Sequence, residues 1–441
     1  MKVRKIMKVM YQTTPKKQDP HKINRIAYIA EAAFEYFISL LITGAFLAAI
    51  LTNIDVPDSV VGITSSLASL GFLAQAAAVL FLRLPDKKKK PVTIMHLINQ
   101  LMFVTLYVIP FIRVPHNVKV AAFIIMFLGG HFISNAVSPF KISWLMSYVP
   151  DKKRGRFTAN KEIISLLGGM IFSYIMGAVI DRYNALGNSR TGFLISAATI
   201  FTLSLLHLIS LLAVKEDNIP SAPEEKKISA KDVISNTLLN KNMRRIILLN
   251  ILWQFGTGIS TSFFGTYQIN ELGFSLKYVA ILSALYSIVR VIFSRFFGKF
   301  ADKHSWADML FLSFSIGACG FLVNTFTTPA NGTVFYALYY MIYAIYMAGT
   351  NSGIMNITFD YASHENRAAA LGISSAFGGC AGFLASLLGA KILSAVQANG
   401  NAIFSHTVYA QQILSFVTFL IFSAVVIYIK TVIVKMKRID E

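Results

Sequence analysis

The sequence predicts an all-α membrane protein made of two pseudo-symmetric six-helix transmembrane bundles, with both termini cytoplasmic. Apolar runs of about 20 residues recur along the whole chain, as expected for membrane helices. Lysine and arginine concentrate in alternate connections between these runs, and short motifs recur about half a chain apart. Only 14% of the 441 residues are charged, against about 25% in soluble domains. Composition and pattern therefore predict a polytopic membrane protein.

The apolar runs define twelve predicted helices, named spans 1 to 12. A helix rises about 1.5 Å per residue, so about 20 residues cross the hydrocarbon of a bilayer. Lipid offers no hydrogen-bond partner to the backbone, and each span is therefore predicted to be helical. The spans are 25–52, 58–82, 92–112, 118–147, 161–181, 191–214, 244–269, 278–298, 306–327, 333–359, 368–394 and 405–430.

One connection is much longer than the others and divides the chain near its middle. Within it, Ser229 and Asp232 are spaced as in a helix cap and precede apolar residues, which predicts a short helix on the membrane surface. The predicted organisation is a cytoplasmic tail 1–24, a first bundle 25–214, a cytoplasmic linker 215–243, a second bundle 244–430 and a cytoplasmic tail 431–441.

Basic residues are distributed very unevenly across the predicted bilayer. With a cytoplasmic N-terminus, 33 of the 41 lysines and arginines lie on the inside and 6 on the outside. The other two, Lys141 and Arg290, lie within spans, and Arg290 is expected to pair towards the inner loop. This asymmetry predicts the orientation and explains the net charge of +20 without a nucleic-acid partner. No signal peptide is predicted, and a functional monomer in a prokaryotic plasma membrane is expected.

The two halves of the sequence share motifs at a nearly constant offset. Matching dipeptides 212 to 216 residues apart predict a duplicated six-helix unit. The matches are Asp86-Lys87 with Asp302-Lys303, Arg154-Gly155 with Arg367-Ala368, and Gly177-Ala178 with Gly389-Ala390.

These motifs resemble those of the major facilitator superfamily. Gly298-Lys-Phe-Ala-Asp302-Lys303 is similar to the family's signature between helices 8 and 9, although His304 departs from its continuation. The first-half copy keeps Asp86 but has Leu82 in place of the glycine. The resemblance implies two bundles around a central cavity lined by helices 1, 4, 7 and 10, with alternating access.

The resemblance also implies a cytoplasmic gate. An aspartate at a helix end can accept hydrogen bonds from a neighbouring helix N-terminus and pair with basic residues, which holds one conformation closed. The alternative is that these residues only cap helix ends at the interface. The candidates are Gly298, Asp302, Lys303, Asp86, Arg154 and Arg367.

Two glutamates in span 1 are unusual for a membrane helix. Glu31 and Glu35 lie one turn apart, about 9 Å and about 15 Å beyond Arg25. Lys141 in span 4 lies at the depth of Glu31, which predicts an ion pair between them. Glu35 has no evident partner at its depth, and a carboxyl there is predicted to carry the coupling proton, with Glu31 beside it. The alternative is a carboxyl that is only hydrogen-bonded in the cavity wall.

Other polar residues in the four cavity-lining spans are candidates for solute binding. The tyrosines of span 10 share one helical face, which is also consistent with packing alone. Aromatic faces with amide groups are typical of a site for a sugar-like or aromatic solute. The predicted substrate-cavity residues are His131, Asn135, Trp253, Gln254, Thr257, Tyr339, Tyr343, Tyr346, Asn351 and Asn356.

The predicted function is proton-coupled secondary active transport of a small organic solute by alternating access, with a sugar-like solute favoured. The alternative is proton-driven efflux of drugs or cationic amphiphiles, with Glu31 and Glu35 forming the cation site. A more remote alternative is a membrane sensor that does not transport. The sequence lacks a phosphate-binding loop and hydrolase motifs, so no enzyme, cofactor, catalytic residue or metal site is predicted. The expected partners are the lipid bilayer, the solute and protons.

Overall fold

The computed structural model describes residues 21–82, 87–150, 154–216, 230–362, 367–403 and 406–436. We call residues 21–216 the first half and residues 230–436 the second half. The described residues are almost entirely helical. A two-stranded antiparallel hairpin, in which Ala402–Ile403 pairs with His406–Thr407, connects spans 11 and 12.

A helix occupies each of the twelve predicted spans. Within the described residues, nine helices are long and apolar enough to cross a membrane, and the bent pair of span 1 makes ten. Twelve crossings therefore remain a prediction. In span order, the helices are Lys22–Leu41 with Gly44–Thr52, Asp58–Phe81, Lys89–Leu106, His116–Met146, Arg154–Ala185, Ser189–Ala213, Lys241–Thr261 (continued by Phe264–Thr266 and the π-helical Tyr267–Glu271), Leu276–Lys303, Trp306–Asn324, Gly332–Tyr361, Arg367–Ala398, and Ala410–Tyr428 (continued by the π-helical Ile429–Ile433).

The two halves pack their helices in the same pattern. In the first half, span 1 contacts spans 5 and 6, span 4 contacts spans 2 and 3, and span 6 also contacts spans 3 and 5. Each of these pairs has its counterpart six spans later in the second half. The halves meet where span 2 contacts span 11 and where span 5 contacts span 8, two pairs that are themselves equivalent. The fold is thus two pseudo-symmetric six-helix bundles.

The outer surface of the bundle is apolar, as a lipid-facing surface requires. Large side chains such as Ile171 and Ile427 are 65% and 63% exposed. The interior of each half is closely packed around fully buried residues, including Leu41 and Phe123 in the first half and Phe314 in the second. Buried and exposed faces are both apolar, and this agrees with an integral multi-pass membrane protein.

Small residues let helices from the two halves approach each other closely. Span 1 bends by 44° near Gly44, whose φ of +56° favours glycine. A Cβ on Gly265 would lie 2.5 Å from the Gly44 carbonyl oxygen, and one on Gly177 would lie 2.9 Å from the Leu276 backbone. A larger residue at Gly265 would push span 7 away from span 1, and one at Gly177 would push span 5 away from span 8.

The bundle has two different ends. We call the end with the beginnings of spans 1, 5 and 7 the basic end, and the other the opposite end. At the opposite end, five hydrogen bonds among the described residues join the halves. Asp58 accepts from the Asn270 and Gln397 side chains, and Asp181 accepts from the backbone N–H groups of Leu276 and Lys277. Asp181 therefore caps span 8 from the other half.

The linker also contains a helix, Ala230–Leu239. Ser229 of the predicted cap lies outside the described residues. Ile234 and Leu238 pack against Ile247 of span 7 and Ile373 of span 11, so this helix contacts the second half at the basic end.

Candidate functional site

Five ionisable side chains meet inside the first half. Glu31 and Glu35 come from span 1, His96 from span 3, Lys141 from span 4 and His207 from span 6. We call these five residues the charge cluster. Charged groups in the interior of a membrane protein are costly, and they persist when paired with one another or when they serve function.

Lys141 joins the two glutamates. Its Nζ lies 3.2 Å from Glu31 Oε2 and also donates a hydrogen bond to Glu35 Oε2. The expectation that Glu35 has no partner is corrected by this geometry. Counted along the helices, Lys141 lies level with Glu31, but its long side chain also reaches the Glu35 carboxyl one turn further along span 1. One ammonium group thus serves two carboxylates.

The two histidines complete the cluster from the other side. His207 Nε2 lies 3.1 Å from Glu31 Oε2, and His207 Nδ1 lies 2.6 Å from Gln100 Nε2. The Gln100 amide donates to Nδ1, so Nε2 carries the hydrogen that His207 donates to Glu31. His96 Nδ1 lies 3.8 Å from Glu35 Oε1, beyond hydrogen-bond distance. Neither ring nitrogen of His96 has a hydrogen-bond partner within the part of the chain that the structure describes.

Exposure differs sharply between the two carboxylates. The Glu31 side chain is 1% exposed and that of Lys141 4%, whereas that of Glu35 is 34% exposed. Glu31 is held by Lys141 and His207 in the interior, while Glu35 lies at the edge of the charge cluster. Glu35 is therefore the more accessible of the two carboxylates.

The local sequence explains how the cluster is assembled. Glu31 and Glu35 are four residues apart and so share a helical face, as do His96 and Gln100 on span 3. Pro139 lies within span 4, one half-turn before Lys141, and removes a backbone hydrogen bond there. His96 and His207 are not among the residues predicted from the sequence. The rule that singled out Glu31, a polar residue within an apolar run, would have found both.

A cavity of about 640 Å³ lies between the halves. Residues of spans 1, 5, 7, 8 and 10 line it, and it extends to Gly298 and Trp306 at the basic end. We call it the central cavity. Its lining includes Tyr343 and Asn351 from the predicted set, together with Arg290, which is thereby placed facing the cavity rather than the inner loop. Spans 5 and 8 contribute to it, whereas the resemblance implied spans 1, 4, 7 and 10.

The other predicted cavity residues lie elsewhere. His131 packs between Phe103 and Phe127, and Asn135 donates to the His131 carbonyl oxygen beside Gly71. None of the remaining residues lines the central cavity. Thr257 and Asn356 donate to carbonyl oxygens of their own helices, those of Trp253 and Ser352. Gln254 packs against Gly378.

Span 10 divides its tyrosines between two environments. Tyr339 and Tyr346 are fully buried and contact Phe314, Phe321 and Phe422. The Tyr339 hydroxyl has no hydrogen-bond partner among the described residues, whereas the Tyr346 hydroxyl interacts with the Trp253 and Thr350 side chains. Tyr340 and Tyr343 line the central cavity instead. We call the buried group, Tyr336, Tyr339, Tyr346, Phe314, Phe321 and Phe422, the aromatic core of the second half.

The predicted gate residues are only partly described. Asp86 lies outside the described residues. Arg154 begins the helix of span 5, and Gly298 lines the central cavity. Asp302 and Lys303 are exposed at the end of span 8. The Arg367 Nε–H donates to the Phe359 carbonyl oxygen, which ties span 11 to the end of span 10. A latch formed by these residues stays a prediction.

Comparisons with known proteins agree with this architecture. Residues 29–386 match the family described as the Major Facilitator Superfamily. A mutant of the nucleoside transporter NupG superimposes with a TM-score of 0.70 at 14% identity, covering 92% of this chain and 99% of that one. A D-xylose–proton symporter gives a TM-score of 0.63 at 13% identity, covering 91% and 96%.

The inward-open xylose transporter XylE from E. coli gives a TM-score of 0.64 at 15% identity, covering 93% of this chain and 95% of that one. A search of curated proteins found no match to this sequence. The structural likenesses are at low identity and concern the fold, whereas the family match spans most of the chain. With its repeated helix packing, its cavity between two halves and this match, the chain belongs to the major facilitator superfamily and is a transporter.

Proposed function

We propose that this protein is a proton-coupled symporter of a small, sugar-like organic solute, working by alternating access. The observation that carries the proposal is the charge balance of the charge cluster. Glu31 and Glu35 bring two negative charges, and Lys141 brings one positive charge. In this proposal His96 and His207 are uncharged, and for His207 the Gln100 amide that donates to Nδ1 supports this state. One carboxylate is in excess, and the accessible one is Glu35.

An excess charge in the interior is costly, and binding one proton removes it. In this proposal Glu35 takes up the proton, and Lys141 then faces Glu31 alone. A further cation, Lys161, lies over the Tyr28 ring with its Nζ 3.5 Å from the Tyr28 hydroxyl. It forms no ion pair with the cluster among the described residues. When Glu35 is protonated, Lys141 loses one of its two ionic partners and can move towards Glu31. Because Lys141 belongs to span 4, such a movement can shift that helix.

The central cavity is suited to the proposed solute. Its size lies in the range of small-molecule sites. Tyr340, Tyr343 and Asn351 offer hydroxyl and amide groups beside aromatic faces, which is the chemistry that a sugar ring requires. The xylose–proton symporter among the structural neighbours supports the same class, although it shares the fold alone. A prokaryotic plasma membrane is the location we infer.

Efflux of cationic amphiphiles is less well supported. In that alternative Glu31 and Glu35 bind the cation themselves, but Lys141 already occupies the position between them. The central cavity also contains the positive charge of Arg290. No contact among the described residues specifically favours the other alternative, a membrane sensor that does not transport.

Glu35→Gln tests the proposal. In proteoliposomes with an imposed inward proton gradient, we expect the wild type to accumulate its solute from a panel of sugars, amino acids and cationic dyes. Glu35→Gln mimics the protonated carboxyl, so uphill accumulation should fall at least about 10-fold while solute exchange without a gradient persists. Uphill transport that survives the substitution would rule out Glu35 as the proton carrier, and dye expulsion would favour efflux.

Glu216→Gln is the matched control. Glu216 accepts a hydrogen bond from the Lys89 backbone N–H at 3.0 Å, after the end of span 6 and away from the charge cluster. The same chemical change there should leave both accumulation and exchange intact. A loss equal to that of Glu35→Gln would mean that the assay reports general damage rather than proton coupling.

A further inference from the structure

Arg290 is a cation in the middle of span 8 that faces the central cavity. It lies 14 residues after Leu276, where span 8 begins, and 13 residues before its end at Lys303. Its guanidinium interacts with the hydroxyl of Tyr286, one helical turn earlier, and its charge also acts on Tyr36, another residue of the cavity lining. No carboxylate lies within ion-pair distance of it among the described residues. Several of its N–H donors are therefore available to a bound molecule.

Among the described residues that line the cavity, one other is charged, the acid Glu162 on span 5. Spans 5 and 8 touch where Gly177 meets Leu276. From that contact, Glu162 lies about 22 Å and Arg290 about 21 Å towards the basic end, so both are at one depth. They form no ion pair in this structure. Each charge therefore faces the cavity without a protein counter-charge in contact.

Taken with the proposed function, on which this step rests, we propose that Arg290 binds the carboxylate of the transported solute. The solute is then a sugar acid, a polyhydroxylated monocarboxylate. A guanidinium offers two parallel N–H donors that match the two oxygens of a carboxylate. The tyrosine hydroxyls, Asn351 and Ser352 meet the hydroxyl groups of the same molecule.

Charge balance favours a carboxylate over a phosphate. The cavity holds one guanidinium and, at the same depth, one carboxylate that would repel a second negative charge. A solute with a single negative charge is therefore the better match. A monoanionic solute also fits the proposed coupling. If each solute anion crosses together with one proton carried on Glu35, the transport step moves no net charge across the membrane.

The preference of the transporter for acidic over neutral sugars tests this proposal, and it can be measured without a proton gradient. In counterflow assays at equal pH on both sides, we expect D-glucuronate to compete about 10- to 100-fold better than its neutral methyl ester or D-glucose, the range set by one charged hydrogen-bonded contact. Arg290→Gln should abolish that preference, and Arg290→Lys should retain part of it. If neutral sugars compete as well as the acid, the proposal is overturned.

Two further variants separate solute binding from other roles of Arg290. Arg295→Gln makes the same change on an exposed residue of span 8 outside the cavity lining, and it should keep the preference for the acid. The exchanged pair Glu162→Arg with Arg290→Glu tests a gate. If that pair restores transport that each single change loses, Arg290 acts by pairing with Glu162, and the proposal is overturned.

The experiments distinguish failure of the sugar-acid proposal from failure of proton coupling through Glu35. A transporter that accumulates a neutral sugar through Glu35, without preferring the acid, would keep the proposed function and lose this inference. A valinomycin-imposed potential gives a second readout. Uptake of D-glucuronate with a proton should not respond to the potential, whereas an inside-negative potential that accelerates it would overturn the one-to-one anion and proton stoichiometry.

Discussion

The two halves of this protein share one helix arrangement but fill it with different chemistry. The first half places the charge cluster between spans 1, 3, 4 and 6, held by hydrogen bonds and ion pairs. The equivalent second half places the aromatic core between spans 9, 10 and 12, held by ring contacts. The same helix arrangement therefore accommodates either a cluster of charged side chains or a core of aromatic rings. Among the described residues, the buried carboxylate, lysine and histidine side chains all lie in the first half. In the proposed function the first half is therefore the bundle that responds to protons, and the second half is its rigid partner.

Replacing Lys141 should have the largest effect on this comparison. Lys141→Met leaves the buried Glu31 and the partly exposed Glu35 without their shared cation, and breaking the buried Glu31–Lys141 pair costs about 3–5 kcal/mol. We expect a large drop in the thermal unfolding temperature of the detergent-purified protein. The same change at exposed Lys299 on span 8 should cost less than about 0.5 kcal/mol.

Adding Glu31→Gln and Glu35→Gln to Lys141→Met should recover much of that loss, because neutral groups can replace a buried ion set. Equal stability of Lys141→Met and Lys299→Met would mean that the charges of the first half are not coupled. The charge exchange between Glu31 and Lys141 offers an independent check, since function lost in either single variant should return in the pair.

Replacing His207 should have an intermediate effect. His207→Phe keeps the ring volume but leaves Glu31 and Gln100 without this partner, at a cost of about 1–3 kcal/mol. Hydrogen exchange should increase in spans 1, 3 and 6. His116→Phe, on an exposed residue that begins span 4, is the control and should change little. Unchanged exchange in His207→Phe would show that packing alone orients Glu31.

The smallest effect should come from the aromatic core. The Tyr339 hydroxyl has no hydrogen-bond partner among the described residues, so Tyr339→Phe should change the free energy of unfolding by less than about 0.5 kcal/mol. Tyr107, buried in the first half, donates to the Leu41 carbonyl oxygen at 2.6 Å. Tyr107→Phe should therefore cost about 1 kcal/mol. A larger loss at Tyr339 than at Tyr107 would contradict the view of an aromatic core held by packing.

The sequence predicted the helices, the repeat and the membrane location because apolar length and basic loops are local signals. It placed Lys141 near Glu31 because depth can be counted along a helix. It could not assign Lys141 to Glu35, or bring in His96 and His207, because helix rotation and side-chain reach depend on packing. For the same reason it did not distinguish Tyr343, which lines the cavity, from Tyr339, which is buried four residues earlier.

The hydrogen bonds at the opposite end have a kinetic consequence. Asp181 holds the first turn of span 8, and Asp58 holds Asn270 and Gln397, so opening that end requires several bonds to break together. At about 0.5–1.5 kcal/mol for each bond, we expect the empty protein to favour the form whose cavity reaches the basic end. If the proposed alternating access holds, the return of the unloaded carrier would then be the slow step, and acids far from the solute would set the turnover rate.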